Sequence, residues 1–160
     1  MFAIVQILSA LFFFLYLNTG TVSTVTLQQL QAKTQIANDT LYIANFWATW
    51  CKPCVEEMPY FEAANQKFGT QKVKLIFVSL NAVKEKAAVE KFVAKNKIAA
   101  EVVLLDAGNP NVWINQLEPE WTGSIPATLF YKNGKKVLFH EGELNQTQLD
   151  SIIQLKIKQL

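Results

Sequence analysis

The segment Leu41-Tyr42-Ile43-Ala44-Asn45-Phe46-Trp47 is apolar at almost every position and follows the turn signal Asn38-Asp39. A strand with one wet face alternates polar and apolar residues, so an unbroken run of this length predicts a central strand covered on both sides. Lys74-Leu75-Ile76-Phe77-Val78-Ser79-Leu80 repeats the pattern, and Glu101-Val102-Val103-Leu104-Leu105 gives a third strand. Between these runs the period changes to that of a helix. From Val55, the positions Met58, Phe61, Ala64 and Phe68 fall on one face, Gly69 supplies a stop, and Pro59 inside the segment predicts a kink. Residues 84–95 form a second amphipathic helix with Val89, Phe92 and Val93 inward.

Capping signals add three more helices. Thr26 with Gln29 has the spacing of a capping box and opens a helix over 27–37, with Leu27, Leu30, Thr34 and Ala37 on one face. Asn109-Pro110 starts a short helix carrying Val112, Trp113 and Leu117. Asn145 with Gln148 caps a last helix that turns Leu149, Ile152, Ile153 and Leu160 to the sheet. Strands at 127–132 and 135–141 are joined by Asn133-Gly134, the signature of a tight hairpin. Alternating strands and helices closed by an antiparallel hairpin predict an α/β fold, a central mixed sheet with helices on both faces.

A chain of 160 residues suits one domain with a core large enough to need no disulfide staple. Part of its 51% hydrophobic content lies outside that core. Residues 1–17 are apolar except for Gln6 and Ser9, and a short polar stretch follows. Residues 1–22 therefore read as a signal peptide or N-terminal membrane anchor, with Thr21-x-Ser23 as the best cleavage point and residues 23–160 as the domain. Either form places the domain in a periplasmic or exterior-facing, oxidising compartment. The net charge is +2, and all 15 basic residues are Lys. Without Arg there is no planar fork for phosphate or guanine, which argues against a nucleic-acid partner.

Cys51-Lys52-Pro53-Cys54 stands where the first buried strand gives way to a helix. Free N–H groups and the partial positive charge at a helix N-terminus stabilise a thiolate, so Cys51 is expected to be the attacking sulfur. Cys54, about one turn on, is placed to resolve a mixed disulfide formed at Cys51. Lys52 adds a positive charge or is simply a solvated side chain, and Pro53 stiffens the turn. A structural zinc site would need about four ligands, and the two Cys with the distant His140 do not supply them. A structural disulfide closing so short a loop removes little unfolded-state entropy.

Asn45-Phe46-Trp47-Ala48-Thr49-Trp50-Cys51-Lys52-Pro53-Cys54, continuing to Glu57-Met58-Pro59, resembles the active-site segment of the TlpA/ResA-like thiol-disulfide oxidoreductases of the thioredoxin superfamily. Gly123-Ser124-Ile125-Pro126-Ala127-Thr128 is similar to the loop carrying the superfamily's cis-proline. The resemblance covers about residues 40–157. It implies a thioredoxin-like fold with a βα insertion at about 84–122, and a cis bond between Ile125 and Pro126 that presents backbone to a substrate chain. Trp50, beside the nucleophile, is a surface candidate, whereas Trp47 and Trp113 suit core packing. Asn45 stands where thioredoxin keeps a buried Asp, so the proton acceptor for Cys54 is left open. Glu85 and Glu57 are the available acids, and a solvated helix carboxylate is the default for Glu57. Glu118-Pro119-Glu120-Trp121 would shape a substrate groove.

Together these readings predict an exported thiol-disulfide oxidoreductase that reduces protein disulfides, with no cofactor and no metal. With no other Cys in the chain, electrons must reach this same pair by exchange, which implies a membrane electron donor as partner. A thiol oxidase or isomerase, and a non-enzymatic copper-handling module, are the alternatives.

Overall fold

The computed structural model describes residues 21–158. The whole apolar run 1–17, the signal or anchor expectation apart from residues 21 and 22, and Leu160 lie outside them. Two strands, β2 (Leu41–Trp47) and β3 (Val73–Ser79), run parallel through the middle of a six-stranded sheet. Every residue of β2 is buried, as its unbroken apolar run requires. On one side the sheet continues through β4 (Glu101–Leu105) to β1 (Ser23–Val25), all parallel. On the other side β5 (Ala127–Lys132) and β6 (Lys135–Glu141) are antiparallel, giving the order β1-β4-β3-β2-β5-β6. Asn133 and Gly134 both hold positive φ, 51° and 72°, as the tight hairpin between β5 and β6 demands.

The period-2 rule divides the strands between two cores. Leu41, Ile43 and Trp47 point to the face covered by α2 (Lys52–Phe68), α3 (Lys86–Asn96) and α5 (Gln146–Lys158), where Phe61, Phe68, Val89, Val93, Leu149 and Ile153 pack. Tyr42, Ala44 and Phe46 point to the face covered by α1 (Leu27–Thr34) and α4 (Pro110–Leu117). There Phe46 lies 6.3 Å from the ring of Trp113 and 4.9 Å from that of Trp121. The α/β architecture with a mixed sheet and helices on both faces is thus the one expected.

Several local expectations are corrected. The helix α1 stops at Thr34, whose hydroxyl bonds back to Leu30 O, so Ala37 lies beyond it and is exposed. The helix α2 begins at Lys52, earlier than the apolar stripe alone indicated. As expected α2 stops with Gly69 as its C-cap, in right-handed backbone, and the chain continues through a 3-10 turn, Gly69–Gln71, before reversing at Lys72, φ 59°. Val112 is 56% exposed because α4 turns Trp113 and Leu117, with Ile114 partly buried beside them, to the sheet instead. The strand β1 was not foreseen. Its three residues are too short for a periodic signal, yet Val25 and the preceding Val22, 2% exposed, both enter the core. Val22 thus packs with the core although it precedes residue 23. Loss of residues 21–23, as a cut at Thr21-x-Ser23 would cause, is expected to lower the unfolding free energy by at least about 1.5 kcal/mol, the lower value for exposing a buried Val. Comparing urea midpoints of chains starting before and after this point measures it.

Candidate active site

The end of β2 delivers Ala48 to a buried position, and the chain turns there with Cys51 N–H donating to Ala48 O at 3.0 Å. Cys51 is the N-cap of α2, a position that leaves its side chain to satisfy a free helix N–H. Its Sγ accepts from Cys54 N at 3.3 Å. Pro53 sits in the first turn, where its missing N–H costs no helix bond. Cys51 and Cys54 are joined as a disulfide with their Cα atoms 5.3 Å apart.

The pair is unequal by a narrow margin. Cys54 is fully buried, and Cys51 shows only 5% of its surface. The reason lies across the cleft: Ile125 O is 3.7 Å from Cys51 Sγ, and the Ile125-Pro126 bond is cis. This places backbone beside the nucleophile. The loop is firmly held, since Trp121 Nε1 donates to Ser124 O at 2.8 Å and the Glu141 carboxylate accepts from Thr122 N and Ser124 N. Gly123 has φ +94°, a conformation that side-chain-bearing residues rarely adopt. Trp121 and Glu118 therefore do not line a groove. Both are 4% exposed; Trp121 braces the loop, while Glu118 pairs with Lys136. The groove beside Trp50 has a volume of about 380 Å³ and is lined instead by Val83, Leu105, Pro110, Ile114 and Gly123. Trp50 itself is 67% exposed. Lys52 is solvated and faces Glu56 at 3.6 Å, a weak, solvent-screened pair.

Glu57 overturns the default for a helix carboxylate. It lies one turn beyond Cys54 on the buried face of α2 and is 1% exposed. Asn45 Nδ2 donates to Oε1 at 2.8 Å, and Leu144 N donates to Oε2 at 2.8 Å. Burial outweighs both bonds and, with the nearby Glu143, pushes the carboxyl up to about 7. Glu85, the other acid considered, accepts from Asn81 Nδ2 and Ala82 N at 3.1 Å.

Asn81 had no assigned role and proves to be the clamp of the reactive turn. Its Oδ1 accepts from Thr49 N and Ser79 Oγ at 3.0 Å, and its Nδ2 donates to Thr49 Oγ1 at 2.8 Å as well as to Glu85. Its only sequence signal was an Asn immediately after a buried strand. Asn81→Ala leaves these partners unpaired and should lower the unfolding free energy by about 1 to 3 kcal/mol, measurable as a urea midpoint shift.

Among the described residues no group of three or more His, Cys, Asp or Glu side chains is placed to hold a metal ion. His140 lies on β6 with Nε2 3.3 Å from Glu143 O.

Comparison with known proteins agrees with this geometry. The chain is 33% identical over 111 residues to the thiol-disulfide oxidoreductase ResA of Bacillus cereus, covering 69% of this chain and 60% of the relative. It is 29% identical over 118 residues to the sporulation thiol-disulfide oxidoreductase A of Bacillus subtilis, covering 73% of this chain and 64% of that one. The chain thus spans about three fifths of the length of these relatives. Among solved structures, that of StoA from Bacillus subtilis superposes with a TM-score of 0.56 at 26% identity, over 71% of this chain and 82% of the other. A thiol:disulfide interchange protein of the thioredoxin family from Chlorobium tepidum superposes at 0.64 with 19% identity, over 76% of this chain and 82% of that one, and shares the thioredoxin-like fold. The family model for AhpC/TSA matches residues 16–139, well over half of the sequence, and the chain therefore belongs to the AhpC/TSA family.

Proposed function

We propose that the protein is a thiol-disulfide oxidoreductase that reduces disulfides in exported proteins. The observation that carries this reading is a Cys pair at a helix N-terminus, facing a cis-proline loop and backed by a buried acid. In the dithiol form the N-terminus of α2 favours the Cys51 thiolate, which attacks one sulfur of the target disulfide. The target S–S bond breaks, a new S–S bond links Cys51 to the substrate, and the displaced substrate sulfur takes a proton from water. Cys54 then gives its proton to Glu57 and attacks Cys51 Sγ. This releases the second substrate thiolate and forms the Cys51–Cys54 disulfide. The substrate gains two electrons and the pair loses them. Glu57 passes its proton to the departing thiolate or to water, and a carboxyl near 7 can do both at neutral pH. Trp50 and the backbone at Ile125 and Pro126 are the surface on which the substrate chain lies.

The dithiol is restored by exchange at the same two sulfurs, so the partner is a dithiol donor, which in an exported compartment lies in the membrane. The apolar N-terminal segment acts as a signal or a tether. Retention as a tether is favoured over cleavage at Thr21-x-Ser23, because Val22 is a core residue. No helix among the described residues is long and apolar enough to cross a membrane.

The test is the reduction potential of the pair, with insulin reduction measured in parallel. A reductase should lie below about −220 mV, and a value near about −120 mV would mark a thiol oxidant instead.

A further inference from the structure

The Asn45 amide stands between two polar groups in the sheet interior. Its Nδ2 donates to Glu57 Oε1 at 2.8 Å and to Thr128 Oγ1 at 3.1 Å. Asn45 and Thr128 are fully buried, and Glu57 is 1% exposed. On the opposite side of the amide, Asn45 Oδ1 has no hydrogen-bond partner among the described residues. A buried acceptor left unpaired is costly, and here it sits beside the group that changes protonation during turnover.

We propose that Asn45 is a positioning residue whose amide turns over as Glu57 gains and loses a proton. It presents Nδ2 to the carboxylate and Oδ1 to the carboxylic acid, while the Thr128 hydroxyl reverses from acceptor to donor. This inference rests on Glu57 serving as proton acceptor for Cys54, but it has its own readout. An amide turned by half a revolution puts oxygen where nitrogen stood, at nearly the same distances. The carboxylate needs a donor, whereas the protonated carboxyl offers an O–H that needs an acceptor. A Thr hydroxyl serves in either sense. No bond on the far side has to break, because Oδ1 makes none among the described residues. Asp at this position could not donate to the carboxylate, and an apolar residue could serve neither state. The remaining groups about the carboxyl are Cys54 on the same face of α2, Leu144 N–H, and Glu143, whose charge disfavours the anion. No ion pair to Glu57 is present among the described residues.

The experiment is an NMR titration of the oxidised full-length chain from pH 5 to 9. It follows the Glu57 side-chain carboxyl carbon and the Asn45 side-chain amide together in wild type, Thr128→Ser and Thr128→Val. In wild type and Thr128→Ser the Asn45 resonances should move with the Glu57 midpoint. In Thr128→Val both states lose a bond, but the loss is greater for the carboxylate state, whose second Nδ2 N–H is left without an acceptor, than for the acid state, whose Oδ1 still accepts from Glu57. The anion is then disfavoured, and the Glu57 midpoint should rise by about one pH unit, a tenfold change in proton affinity. Glu57 titrating while the Asn45 amide stays unchanged, or a Thr128→Val midpoint equal to that of wild type, overturns the inference and leaves the role of Glu57 standing. Coupled titration of the two residues with no matching change in the pH dependence of Cys54 resolution would instead remove Glu57 as the acceptor and keep the turning amide. A Glu57 carboxyl that does not titrate in this range overturns both.

Discussion

Cys51→Ser is expected to abolish reduction of insulin by the protein, a loss on the order of a thousandfold or more. The effect is large because a serine hydroxyl is not ionised near neutral pH and cannot exchange with a disulfide. It should not be a folding effect. Cys51 is the N-cap of α2, and Ser is among the preferred residues at that position, so the helix keeps its cap with Oγ in place of Sγ. Circular dichroism and the urea midpoint of the reduced variant should match those of the reduced wild type, while activity disappears. Retention of more than about a tenth of the activity would mean that Cys54 can attack by itself, contrary to its full burial.

Glu57→Gln carries the second largest effect. With the carboxyl near 7, Glu57 is a base matched to neutral pH, and removing it should slow Cys54 attack on the mixed disulfide by about a hundredfold at pH 7.5. The step at Cys51 should be almost unaffected, so single-turnover kinetics should show the mixed disulfide accumulating. Glu56→Gln is the control, because Glu56 is exposed beside Lys52 and should leave both steps unchanged.

Stability gives the same residue a separate signature. Burial holds the folded-state value near 7, against the ordinary 4.5 of a solvated Glu in the unfolded chain, so the folded protein binds this proton more tightly. The usual carboxylate rule is reversed here. Below about pH 4.5 both states are protonated and the group is neutral to stability. Between about pH 4.5 and 7 the unfolded chain gives up the proton while the folded state keeps it, so stability falls by about 3 kcal/mol across this window and levels off above 7, where the folded state holds a buried anion. Urea unfolding of the oxidised protein between pH 5 and 8 should show this decline, and the Glu57→Gln variant should lack it. The disulfide keeps both Cys from titrating in this window. Asp39, Glu101, Glu118 and Glu141 do not contribute to it, because their values are lowered and act at more acid pH.

The sheet was legible because its central strands are covered on both faces. An unbroken apolar run such as 41–47, too short for a buried helix and bounded by turn residues, fits little besides a strand with no wet face. Capping pairs such as Thr26 with Gln29 and Asn145 with Gln148 close in the structure as reciprocal bonds. The strand β1 escaped because three residues at a sheet edge have no period, and its place depends on pairing with β4. The Cys pair and Pro126 were visible as local motifs. Glu57 was misjudged although the signal was present. The stripe Met58, Phe61, Ala64 and Phe68 already defined the inner face of α2, and Glu57 lies four residues before Phe61 on that stripe. A general expectation that charged side chains stay in water overrode the geometry. Thr128 and Leu144 N could not be found from sequence, because each reaches the site through tertiary packing from a distant part of the chain.

The most direct test of the unequal Cys pair is to trap the intermediate. Reduced Cys54→Ser, mixed with a disulfide-bonded protein substrate, should accumulate a stable adduct joined through Cys51, which peptide mass mapping identifies, and Cys51→Ser should form none. Equal trapping by both variants, or an adduct carried at Cys54 when only Cys54 remains, would contradict the division of labour on which the proposed mechanism rests.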